Sequence, residues 1–178
     1  MKTSNARHVW SRLLVLAGGL GMVFGAVDPM EGSVVILPGS LLMAIGTLLG
    51  GGERRLVRFR VMIFVLIALG VVAMWGLSAV GGIGGSSGHS VWWGVLILPY
   101  LAGWSLGVSG PGSPRWLVLA GMAVGLWYLI LLTMVLRGHH HSAHPMSVWP
   151  VVIVATTGVL TIAGGIRRLS KSSSSGPA

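Results

Sequence analysis

Between Arg60 and Arg115 the chain carries no Asp, Glu, Lys or Arg, and long uncharged stretches flank that interval on both sides. Few folds accept such runs. An apolar stretch of about 18 residues fits a membrane-crossing helix, since in hydrocarbon only a helix or a closed barrel satisfies every backbone N–H and C=O. Barrel strands would alternate apolar and polar residues. These runs are apolar all round, so the expected fold is all-α, within a lipid bilayer.

Six apolar runs emerge, at 13–27, 34–49, 61–83, 91–108, 116–136 and 148–166. They define a transmembrane domain over 13–168, between a basic leader (1–12) and a Ser-rich tail (169–178) expected to be disordered. A basic start before a short apolar run also describes a signal peptide. Bulky Phe24 spoils the small-x-small cleavage pattern before Val27, so retention of the first run is expected.

Polar turns join the runs in pairs, as three consecutive helical hairpins. Ser33-Val34, Ser90-Val91 and Ser147-Val148 recur at a spacing of 57 residues, as do Gly50, Gly107 and Gly164. The pattern suggests a pseudo-threefold parallel repeat. Each serine is placed to N-cap the helix it opens, accepting from an otherwise unpaired N–H. Gly21/Gly25, Gly46/Gly50, Gly103/Gly107 and Gly121/Gly125 are each four apart. Pairs of that kind make flat faces where helix backbones approach closely.

Composition narrows the function classes. Hydrophobic residues make up 53% of the chain and charged ones 8%, with a mean hydropathy of +0.86. The net charge of +9 does not point to nucleic acid, because Lys and Arg flank the apolar runs and form no stripe. Flanking basic residues instead set topology and attract lipid headgroups. Of the 12 basic residues only Arg137 falls on the side holding Asp28, Glu31 and five of the six histidines. The basic side, with both termini, is therefore expected in the cytoplasm, in a bacterial-type inner membrane.

Candidate chemistry is sparse. The absence of Cys excludes disulfides and thiolate sites. His139, His140, His141 and His144, with His89, Met30, Met146, Asp28 and Glu31 nearby in topology, form the one compositional metal signal, suited to Zn, Ni or Cu. Asp28 and Glu31, three apart, are a candidate acid–base pair or cation ligand, but turn formation and the positive end of the second helix already explain both. A phosphate-cradling glycine motif is missing, as is an ionisable group in the middle of any run. The hydroxyls at depth (Ser40, Ser78, Ser105, Thr133, Thr156, Thr157 and Tyr128) are expected to bond back to their own helices. The expectation is a non-enzymatic, six-span accessory or structural subunit, whose partners are the bilayer and other membrane subunits. The alternative is a small permease or metal-handling protein that uses the histidine loop.

Overall fold

The computed structural model describes residues 2–27, 32–82, 90–139 and 148–174, and among them every regular element is helical, with no strand. Six α-helices follow one another: α1 (Lys2–Gly25), α2 (Ser33–Leu49), α3 (Arg54–Ala79), α4 (Leu98–Ser109), α5 (Arg115–His139) and α6 (Val148–Ser174). A 3-10 helix over Val91–Ile97 leads into α4.

Several boundaries differ from the sequence reading. The basic leader is the first part of α1, and α3 begins at Arg54, ahead of the run at 61–83. Helix α6 continues to Ser174, through much of the tail read as disordered. The run at 91–108 is not one α-helix. Pro99 lacks the N–H that an α-helix would send back to residue 95, so the regular ladder starts only at Leu98, with Pro99 in its first turn.

Neighbouring helices pair with alternating direction. A Cβ placed on Gly18, Gly25 or Gly46 would run into Gly39 and Met43, Gly32 and Ile36, or Ser11 and Val15 respectively. One set of numbers rises as the other falls, so α1 and α2 are antiparallel. Gly70 against Tyr100, Gly103 against Ile67 and Gly107 against Ile63 give the same result for α3 and α4. Gly125 against Gly158 and Gly165 against Met122 do so for α5 and α6. Helices α4 and α6 run parallel: Ser105 meets Thr161 and Ser109 meets Gly164.

The core joins these pairs through Met22, Ile36, Met43, Ile63, Ile67, Val71, Tyr100, Trp104, Val108 and Leu117. Outward faces are apolar as well. Helix α3 buries Ile63, Ile67 and Val71 while exposing Val61, Val65, Leu69, Val72 and Trp75. A helix apolar all round belongs either in a large protein core or in lipid. Exposed Leu119, Leu126, Trp127 and Met134 extend the pattern to α5. Three helical stretches are long and apolar enough to cross a membrane, Ala6–Gly25, Arg54–Ala79 and Arg115–Met134. Ser33–Leu49 and Trp93–Ser109 are shorter apolar helices.

The α1–α2 contact should be the least tolerant of bulk. A Cβ on Gly39 would lie 2.9 Å from the Gly18 carbonyl oxygen and 3.1 Å from the Met22 nitrogen, both backbone atoms. Gly39→Leu should cost about 2–3 kcal/mol and lower the unfolding midpoint in detergent. Gly76→Leu, where nothing lies within 4 Å, should stay within roughly 0.5 kcal/mol of the parent. Equal effects of the two substitutions would contradict the packing described.

Candidate functional site

Arg60 is the most unusual side chain of the bundle. It sits in the second turn of α3 and is 2% exposed. The helical period explains why: Arg60, Ile63, Ile67, Gly70 and Val71 form one buried stripe, while Arg54, Arg55 and Arg58 fall outside it and are exposed. Its guanidinium donates from Nη1 to the Gly107 carbonyl at 3.0 Å and from Nη2 to Ser113 Oγ at 3.0 Å. Met43 Sδ lies 4.0 Å from Nη1. Ser113 Oγ in turn donates to the Gly107 carbonyl at 2.9 Å. The turn that presents Ser113 needs Gly112, whose φ of 74° suits a residue without Cβ.

Arg168, near the end of α6, donates from Nη2 to the Ser113 carbonyl at 3.0 Å. Partial burial lowers the pKa of its guanidinium from the ordinary value, yet arginine stays charged at neutral pH. Two cations therefore converge on one serine. Every hydrogen-bond acceptor of the two guanidinia among the described residues is neutral. The cluster ties α3, the α4–α5 turn and α6 together at the end where α2 closes. There Arg7 Nε donates to the Leu49 carbonyl at 2.8 Å, and Ser11 Oγ to the Gly46 carbonyl at 2.6 Å.

The other end of the bundle holds a cavity of about 130 Å³. Tyr100, Trp104 and Tyr128 line it, with Ala26, Ile36, Leu101, Gly125, Val154, Thr157 and Gly158. Two of its aromatic groups are engaged: Trp104 Nε1 donates to the Met22 carbonyl at 2.9 Å and Tyr128 Oη to the Ala26 carbonyl at 2.5 Å. Both carbonyls belong to the last turn of α1 or just follow it. The Tyr100 hydroxyl has no hydrogen-bond partner among the described residues, although the residue is only 5% exposed.

The sequence-selected residues distribute as follows. The N-cap of α2 falls on Gly32, whose carbonyl accepts from Val35 and Ile36 N–H. Ser33 is the first helical residue and is buried, so its assignment as N-cap is corrected. Ser90 precedes a 3-10 helix rather than an α-helix, its carbonyl accepting from Trp93 N–H at 3.1 Å. The N-cap of α4 is Ile97, which corrects the cap placed at Ser90. Ser147 lies outside the described residues. Gly21, Gly25, Gly46, Gly50, Gly103, Gly107, Gly121 and Gly125 all face another segment, and a Cβ on any of them would contact it. Of the histidine tract, His139 ends α5, and His140, His141 and His144 lie outside the described residues, as do Asp28, Met30, Glu31, His89 and Met146.

Hydroxyls at depth divide into two kinds. Ser40 and Thr133 bond to carbonyls three residues back in their own helices. Ser105 instead meets Thr161 at 2.9 Å, while the Thr161 hydroxyl also reaches the Thr157 carbonyl at 2.8 Å. With one proton each, Thr161 serves the carbonyl and accepts from Ser105. Compared with known protein families, curated proteins and solved structures, the chain matches none.

The arginine cluster makes an ordered prediction. Ser113→Ala removes the acceptor of Arg60 Nη2 and leaves a buried charged donor unpaired, at a cost of about 1–3 kcal/mol. Arg60→Met keeps the stem volume, removes the charge and leaves the Ser113–Gly107 bond in place, so its effect should be smaller. Denaturation of both variants in one detergent checks the order; a larger loss for Arg60→Met would reverse it.

Proposed function

We propose that the chain is a multi-pass protein of a bacterial-type inner membrane. It crosses six times as three helical hairpins, with both termini in the cytoplasm. It serves as an accessory or structural subunit of a membrane complex and not as an enzyme. Support for the crossings comes from the alternating helix directions, the apolar outward faces, and basic groups gathered at one end. The hairpins follow the 57-residue period as parallel repeats, the second opening in a 3-10 helix because of Pro99.

One observation carries the subunit reading. Among the described residues the interior polar groups tie helices together and do not line a path. Arg60, Ser113, Ser105, Thr161 and Trp104 all bond across helices, and glycine contacts bring the backbones together between them. A solute pathway calls for polar groups turned toward a continuous water-filled space.

In native mass spectrometry from mild detergent, the 18.5 kDa chain should appear with a second membrane protein in fixed stoichiometry. A stable lone chain that catalyses solute flux in proteoliposomes would overturn the reading. Topology has its own test, helped by the lack of native Cys. In intact cells an impermeant thiol reagent should label His140→Cys and leave Arg55→Cys untouched.

A metal-handling role is the second reading, favoured by four histidines between positions 139 and 144. It requires that calorimetry show tighter Zn, Ni or Cu uptake by the parent than by the triple variant His139→Ala/His140→Ala/His141→Ala. Equal, weak uptake by both dismisses it.

A further inference from the structure

We propose that the cavity between the end of α1 and helices α2, α4, α5 and α6 binds a single six-membered ring bearing a carbonyl, of the aryl ketone or quinone class, whose oxygen accepts the Tyr100 O–H. The site is independent of the subunit reading and lies at the opposite end of the bundle from the arginine cluster.

Size comes first. At about 130 Å³ the space approaches the roughly 150 Å³ apolar cavity that takes benzene. The walls suit a flat occupant: Trp104, Tyr100 and Tyr128 contribute rings, while Gly125 and Gly158 present bare backbone between α5 and α6. Aromatic rings favour offset or edge-to-face contact with another ring.

Polarity comes second. Trp104 and Tyr128 already donate to backbone carbonyls of the α1 end. Among the described residues the Tyr100 hydroxyl, on a side chain 5% exposed, is the buried donor left over, and a buried donor without an acceptor is costly. The missing group is therefore an acceptor, placed where the rest of the molecule is apolar. A carbonyl on a ring meets both demands, and a molecule of that kind dissolves in the bilayer that the outer faces of α3 and α5 require.

The test is fluorine NMR on the purified full chain in detergent, with protein-free micelles as the baseline. The probes are para-fluoroacetophenone and para-fluoroethylbenzene, alike in shape and differing in the carbonyl. The ketone should give a saturable shifted resonance at one equivalent and bind more tightly than the hydrocarbon. Tyr100→Phe should weaken the ketone roughly tenfold and leave the hydrocarbon unchanged. Val154→Phe, which fills the space from α6, should abolish both signals and serves if Tyr100→Phe does not fold. No saturable ketone signal would leave water as the partner of the hydroxyl and overturn the proposal. So would equal effects of Tyr100→Phe on the two probes, or ketone binding that survives Val154→Phe.

Discussion

The bundle depends on how closely its backbones approach one another at glycine. Between helices surrounded by lipid there is little hydrophobic gain from association, because the tails are as apolar as leucine. Cohesion must then come from dispersion summed over many close contacts and from polar bonds between helices. Gly18 opposite Gly39, Gly125 opposite Gly158 and Gly70 opposite Tyr100 supply the first. Each places backbone against backbone at a distance that any Cβ would disturb. Once α1 and α2 meet in this way, Met22 and Met43 are directed into the shared core beside α3 and α4.

Arg60 supplies the polar bonding at one end. A buried guanidinium is tolerated only when its donors are matched, and here the matching groups are a helix carbonyl and a serine, not a carboxylate. The Gly107 carbonyl is available because it lies in the last turn of α4, where helix carbonyls run out of N–H partners. The positive charge also sits at the negative end of the α4 dipole. Arg168 reaches the same turn from α6, and Arg7 closes the end of α2 in the same manner. Basic residues that flank apolar runs thus act as caps on neighbouring helices and turns.

Much of this architecture is legible in sequence, for definite reasons. All-helical structure follows from uncharged apolar runs, and the turns follow from glycine and charge placement. Arg60 is hidden from a reading by charge, because an arginine there marks the boundary of the third run. Its signal lay in the period: stepping back from Ile67 to Ile63 reaches position 60, whereas Arg54, Arg55 and Arg58 miss the stripe. Ser33 and Ser90 sit off their expected caps for different reasons. Helical dihedrals already hold at Gly32, one residue ahead of Ser33, and Pro99 delays the regular helix of the second hairpin past Ser90. Trp104 and Tyr128 gave no advance sign of reaching the α1 end, because such pairings depend on which helices become neighbours. The cavity was illegible for the same reason, since it draws on five segments far apart in the chain.

The two ends of the bundle are built on opposite terms, and this gives the Tyr100 hydroxyl its meaning. At the Arg60 end the Gly107 carbonyl, Ser113 Oγ and the Ser113 carbonyl are all drawn into bonds, and Arg60 and Ser113 are buried. At the other end Pro99 starts α4 and puts Tyr100 in its first turn, where a Cβ on Gly70 would fall 2.7 Å from the Tyr100 Cα. Tyr100 is thereby held at the level of its backbone, by a contact that leaves α4 no room to slide along α3. Gly125 and Gly158, packed on each other where α5 meets α6, line the same cavity. A rigid donor beside a preformed apolar space incurs little ordering cost when a ligand enters. The same close packing that holds the helices together therefore leaves this one donor available to a ligand.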